Sequence, residues 1–433
     1  MNSRKGIFLI TAIVLLGVAF LWLLGTPKKV IEHSPNNEAS LVAIEDGTDE
    51  KTVSEFEPEV ETVIECDILG DEQNELIELY RRDGRYVLRV KQEQNTIFEE
   101  NLPYANICAW QAVDLDGDGK SELYVRGTDG GWSIQKDLFQ FRNHGMVSIL
   151  NLTGTEAFFE GMEKSIDHNR FTCSYRSADG DLTCHGTGLL PPKLFSGLEE
   201  DENPNAFLVT TYDWVPVKKG ATWYIAAAAT IKIKVGQYYW GPPVLDPPPS
   251  DFTDFYCDLA RLHLTLQRVD SSFSPVEARL VLNYSETPPP EVDLLSYDEA
   301  SFGDKISLLS NIYEVYQSLG GSNEDEVSDG YSVKEINGVT LTGFVDDSII
   351  NIKVTTPEYP TIRGLRVGDS VADLKSLYGI PDLGFFEDDL VTYYFSHVDQ
   401  DTGKVQLRFY RKMKVKIAGG RITMIEFDQM ASD

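Results

Sequence analysis

Asp114-Leu-Asp-Gly-Asp-Gly-Lys-Ser-Glu122-Leu-Tyr-Val125 is the stretch on which the reading of this 433-residue chain turns. Oxygen-bearing side chains stand at positions 1, 3, 5 and 9, with a backbone carbonyl available at 7. That is the donor set a hard cation such as Ca²⁺ takes. Gly117 and Gly119 allow the tight loop on which such side chains converge. An EF-hand needs an acid at position 12 and a helix after it, whereas here position 12 is Val125 and Leu123-Tyr-Val-Arg126 reads as a strand. Three aspartates within five residues repel one another unless a cation lies among them. The same residues would also make an Asx/Gly-rich hairpin turn that needs no metal.

The motif has an earlier partner in the chain. Asp67-Ile-Leu-Gly-Asp-Glu-Gln-Asn-Glu75-Leu-Ile aligns with it at an offset of 47 residues, with Leu69 in place of the second aspartate and Glu72 in place of the second glycine. This copy keeps the turn and the strand but lacks the second aspartate's carboxylate as a calcium ligand. Tyr86-Val-Leu-Arg-Val90 and Thr96-Ile-Phe98 alternate between the copies as strands do. An acidic loop joining two strands and recurring at this period resembles the FG-GAP/VCBS-type repeat of integrin-like β-propellers. The resemblance implies Ca²⁺ held by Asp114, Asp116, Asp118, Glu122 and the carbonyl of Lys120. It is close over residues 60–140 and weaker over 140–290, where strand-like runs continue without a clean motif. The region 62–290 therefore reads as a β-propeller-like domain of about five blades, a partial propeller, or an irregular β-sheet domain. Pro288-Pro-Pro290 marks its end.

The C-terminal region, 297–430, contains a tandem. Phe302-Gly-Asp-Lys-Ile-Ser-Leu-Leu309 parallels Val367-Gly-Asp-Ser-Val-Ala-Asp-Leu374. Ile306, Leu309, Ile312, Val315 and Leu319 predict one amphipathic helix; Val371, Leu374 and Leu377 predict a second, with Asp369 or Ser370 as N-cap and Gly379 and Pro381 as its stop. Residues 342–354 echo residues 417–427 as strand pairs. A helix followed by a small antiparallel sheet, twice, resembles the fold of β-lactamase inhibitor protein and SmpA/OmlA-type modules. That likeness implies a sheet face turned to a protein partner, for which Tyr393, Phe395, Arg408 and Tyr410 are the candidates. Strand alternation requires some of these four to be core. The expected fold class is mainly β with an α+β C-terminal domain.

Five cysteines are present, none in a C-x-x-C pair. A symmetric hairpin about Ala178-Asp-Gly-Asp181 would set Cys173 opposite Cys184, so a cross-strand disulfide and two half-buried thiols are equally open readings. Six histidines form no H-E-x-x-H, and there is no G-x-S-x-G elbow, P-loop or dinucleotide fingerprint. These absences favour a non-enzymatic binding protein. The alternative is an envelope glycan-acting hydrolase, or an accessory subunit of one, built on a carboxylate pair.

Residues 7–24, IFLITAIVLLGVAFLWLL, are uncharged and follow Arg4 and Lys5. At 1.5 Å per residue they span roughly 27 Å, one hydrocarbon core, and they lack an A-x-A-like cleavage site. Residues 7–25 are expected to be a transmembrane signal anchor, and 26–61 an extended linker. From residue 33 to 61 there are nine acidic side chains against one lysine. The net charge of −31, from 69 acidic and 38 basic residues, disfavours nucleic acid as a partner. The expectation is a single-pass protein of a cell membrane, of Gram-positive type, whose bulk lies outside the cytoplasm and meets a protein or a cell-envelope component.

Overall fold

The computed structural model describes residues 60–429 except 130–133, 143–144, 192–193, 195–202, 240–251, 285–295, 297–298, 304–305, 323–331, 344–346 and 399–404. The expected anchor and linker lie outside the described residues, apart from the linker's last two. Among the described residues no helix is long and apolar enough to cross a membrane. Residues 58–433 form one compact unit.

The chain is mainly β and folds as successive antiparallel sheets. The first is a four-stranded meander of β1 (Val60–Cys66), β2 (Glu75–Arg82), β3 (Arg85–Gln92) and β4 (Asn95–Asn101). The second repeats it with β5 (Asn106–Val113), β6 (Glu122–Thr128), β7 (Ile134–Arg142) and β8 (Gly145–Asn151). The 47-residue offset is therefore one sheet, with an acidic loop joining the first two strands of each. Two-residue turns set the register: Asp83 and Gly84, with φ of 53° and 78°, join Arg82 to its partner Arg85, the positive-φ pair that a tight hairpin requires. A short helix, α1 (Leu152–Glu156), is capped by Asn151, whose side chain accepts from the Gly154 N–H.

Two further sheets follow. The third has three strands, β9 (Met162–Asp167), β10 (Arg170–Arg176) and β11 (Thr183–Leu189). The fourth has longer strands, β12 (Leu208–Lys219), β13 (Thr222–Tyr239), β14 (Phe252–Val269) and β15 (Ser272–Leu282). These sheets do not close into a propeller. Strands of 18 residues in β13 and β14 depart from the short strands of the first two sheets, and the acidic loop does not recur in them.

Sheet faces stack to make the core. Ile77, Leu79, Leu88 and Val90 of the first sheet pack with Leu123, Val125 and Phe141 of the second. On the other side of the second sheet, Tyr124 and Leu138 meet Trp214, Ile225, Ala227, Leu262 and Leu264 of the fourth. Burial on both faces accounts for four consecutive buried residues at the start of β6, where a one-sided strand would alternate.

The C-terminal region opens with a small hairpin of β16 (Ser301–Phe302) and β17 (Ile306–Ser307). Its main sheet has six strands: β18 (Ser332–Ile336), β19 (Val339–Gly343), β20 (Ile349–Val354), β21 (Leu390–Val398), β22 (Val405–Ala418) and β23 (Arg421–Gln429), in the spatial order β18-β19-β20-β23-β22-β21. Two three-stranded halves meet at its centre, where Ile352 pairs with Phe427 and Val354 with Ile425. The two echoing segments of sequence are thus neighbours. Of the two expected helices, the first, α2 (Ile312–Ser318), is shorter than expected. It starts behind the N-cap Asn311, while Ile306 belongs to β17 and Leu309 is exposed with φ 68°. The second, α3 (Val371–Tyr378), has Ser370 and Asp373 in a reciprocal capping box and ends at Gly379.

The boundary expected near residue 290 is crossed by a shared core. Ile380 and Tyr394 of the C-terminal region pack with Ile231, Cys257, Leu259 and Tyr284. Asp258 accepts from the Gly384 N–H at 2.9 Å, and Arg261 pairs with Asp388 at 2.6 Å.

Candidate metal centre

The loop between β5 and β6 is ordered by its own first aspartate. Asp114 Oδ1 accepts from the Gly117 N–H at 2.8 Å and Oδ2 from the Gly119 N–H at 3.1 Å. Asp118 Oδ1 accepts from the Lys120 N–H at 2.8 Å. Gly117 and Gly119 have φ of 75° and 87°, which side-chain-bearing residues adopt at a cost. These bonds wind the loop so that one carboxylate oxygen from each of Asp114, Asp116 and Asp118 lies within 4.8 Å of the others. Asp116 Oδ1 is buried and has no hydrogen-bond partner. A bare buried carboxylate oxygen beside two more carboxylates is costly without positive charge. Burial, opposed by Arg268 and reinforced by Asp118, holds the Asp116 carboxyl above its ordinary range.

The ninth residue behaves differently from a free ligand. Glu122 is fully buried at the start of β6. Its Oε2 accepts from the Leu115 N–H at 3.1 Å, and its Oε1 accepts from Gln140 Nε2 at 3.2 Å and from Arg268 Nη1. Arg268, near the end of β14, also places Nη2 3.3 Å from Asp116 Oδ2 and donates through Nε to the Asp270 carbonyl. The residues thus fit a divalent cation at Asp114, Asp116 and Asp118, with Glu122 committed to a guanidinium. Neither Arg268 nor Gln140 carried a signal in the sequence. Arg268 closes the apolar alternation of β14, 146 residues from Glu122.

The earlier copy shows the same winding with a different balance. Asp67 accepts from the N–H groups of Gly70, Asp71 and Glu72, and Glu75 Oε2 from those of Ile68 and Leu69. Asp71 is turned to its own loop and to Gln92, bonding the Gln73 N–H and Gln92 Nε2. Asp67 and Asp71 are thus bonded within the protein, while the buried Oε1 of Glu75 has no hydrogen-bond partner. The two loops touch: the Ser121 N–H donates to the Asp67 carbonyl at 2.7 Å.

Two clefts flank Asp116. One of about 400 Å³ is lined by Asp114, Asp116, Lys218, Trp223 and Gln267. Another, of about 750 Å³, is lined by Asp116, Asp118, Gln140, Arg142, Arg268 and Asp270. A third, of about 410 Å³, lies on the outer face of the fourth sheet over Ala226 and Ala228, among Asp213, Lys219, His263, Glu277 and Arg279.

Tyr393 and Phe395 are core, 1% and 0% exposed, so they are not an interaction face. Their side of β21 packs inward, against Tyr378 of α3 and Phe427 of β23 respectively. The side chains of Arg408 and Tyr410 lie outside the described residues. Cys173 pairs in register with Gly186, and Cys184 with Tyr175. The loop 177–182 closes at Arg176 and Thr183, which shifts the pairing axis and sets the two cysteines two residues out of register rather than opposite. No disulfide joins Cys173 to Cys184.

No family model and no curated protein matches the chain. Among solved structures it is similar to an exotype rhamnogalacturonan lyase, at 11% identity over 85% of this chain and 71% of that one, with a TM-score of 0.19. It is also similar to a putative oxidoreductase (glucose dehydrogenase) of Thermus thermophilus, at 14% identity over 48% and 81%, with a TM-score of 0.14. TM-scores this low give neither likeness any bearing on fold or activity.

Proposed function

We propose that the chain is a non-enzymatic binding protein, tethered to a membrane by residues 7–25 and working outside the cytoplasm, whose first two sheets are FG-GAP/VCBS-type units with Ca²⁺ held in the second loop. The observation that carries this reading is the convergence of Asp114, Asp116 and Asp118 around the buried, unpartnered Oδ1 of Asp116. Oxygen donors alone, arranged on a glycine-bearing loop, suit a hard cation rather than a soft one. The ion would neutralise the three carboxylates and fix the β5–β6 connection, leaving the sheets to present a rigid surface to a protein or envelope partner.

Thermal unfolding of the detergent-solubilised chain tests this. Calcium at up to several millimolar, the range of extracellular modules, is expected to raise the melting temperature of the parent chain over that in chelator. The shift is expected to vanish in Asp116→Asn and Asp118→Asn. A parent chain whose melting ignores calcium over that range would remove the basis for the metal.

A further inference from the structure

The feature that the cation reading leaves unexplained is a guanidinium inside the cation loop. Arg268 is almost fully buried, with its side chain 3% exposed. Its three contacts are unequal. Glu122 has no exposure, so Arg268 is its charge partner within the core and Gln140 its neutral one. The Asp270 carbonyl fixes the Nε side of the fork to the β14–β15 turn. Asp116 receives the remaining Nη2 at 3.3 Å, the looser of the two carboxylate contacts, and still has one bare oxygen.

We infer that Arg268 is a built-in competitor for the cation: it occupies Asp116 when the loop holds no divalent ion and is displaced from Asp116, though not from Glu122, when the ion binds. This rests on the cation reading and assigns Arg268 and Glu122 a regulatory pairing rather than a place in the ligand set. A divalent ion among Asp114, Asp116 and Asp118 puts like charge beside the guanidinium and draws Asp116 Oδ2 toward itself. Glu122 cannot follow, because its oxygens are held by the Leu115 N–H, Gln140 and Arg268. Filling the loop therefore loosens the attachment of the β5–β6 loop to the β14–β15 turn, while an unfilled loop is latched to it. Reciprocity follows: whatever holds Arg268 on Asp116 weakens calcium binding by the same factor.

The test is calcium titration calorimetry of the full chain in detergent micelles. Parent, Arg268→Lys and the double variant Glu122→Gln/Arg268→Met are compared. The lysine keeps a positive charge near Glu122 but lacks the fork that reaches Asp116. The double variant replaces a buried pair with neutral groups of similar length, which such pairs tolerate. Both are expected to bind calcium more tightly than the parent, on the order of fivefold or more for the double variant. Weaker binding by the double variant would mean that Glu122 is a ligand, and equal binding that Arg268 does not compete; either result overturns the inference while leaving the calcium loop in place. A parent chain that takes up no calcium overturns the loop reading and this inference together.

Discussion

Glu75 and Glu122 occupy the same place in two copies of one loop, and their surroundings decide their chemistry. Both are fully buried and both accept from the backbone N–H one residue after the loop's first aspartate. Glu122 has a guanidinium partner; Glu75 Oε1 has none. Burial pushes the Glu75 carboxyl above its ordinary range, against two backbone hydrogen bonds that pull it down. A carboxyl whose folded pKa is raised gives the fold stability that is fully present below the ordinary carboxyl range. That stability is lost as pH rises through the folded value. Glu75→Gln removes this dependence. The variant should gain in melting temperature relative to the parent as pH rises through and above the ordinary carboxyl range, and a difference that does not grow with pH would count against the account. The acidic loop itself was legible in sequence, because its geometry is written in consecutive aspartates and glycines. Arg268 was not, since only the folded chain brings β14 to that loop. The sequence could not assign Tyr393 and Phe395 to core or surface for a related reason: alternation identifies two faces of a strand but not which one is covered.

Local rules at the level of elements hold where a short segment decides its own shape. The hairpin at Asn337 and Gly338, with φ of 49° and 77°, and the stop of α3 at Gly379 follow turn and cap chemistry. Ser370→Ala should cost about 1 kcal/mol in denaturant unfolding by opening the capping box. The first helix of the tandem was readable as amphipathic but began later than its apolar spacing implied, because Ile306 is drawn into a strand and Asn311 supplies the cap. Close approach between elements is less visible. A Cβ on Gly188 of β11 would collide with the Tyr284 carbonyl, and one on Gly186 would lie 2.7 Å from Leu282 Cδ1. These glycines let β11 lie against the end of β15. Gly188→Ala should destabilise by about 1–3 kcal/mol, as overpacked positions do. A neutral substitution would show that the third sheet is free to shift.

For the molecule as a whole, two folded regions are expected on either side of a proline run, and residues 58–433 form one compact unit in which the two share a core. Tyr394 sits in a core made by both regions, 7% exposed, with its N–H bonded to the buried Asp382. Unfolding should therefore occur in one transition, and Tyr394→Ala should lower the stability of both regions by about 3–5 kcal/mol. Two separate transitions by calorimetry would contradict a shared core. A proline-rich run signals a break in secondary structure, not the absence of contact across it. For the cation, Trp223 offers a probe because it lines the same cleft as Asp114 and Asp116. A lanthanide such as terbium substitutes for calcium at oxygen sites and emits when a nearby excited indole transfers energy to it. The measurement is terbium emission on tryptophan excitation of the detergent-solubilised chain, titrated with calcium. A calcium-binding loop is expected to give sensitised emission that calcium displaces and that is lost in Asp118→Asn and reduced in Trp223→Phe. Absence of emission, or emission unchanged in Asp118→Asn, would contradict calcium binding there.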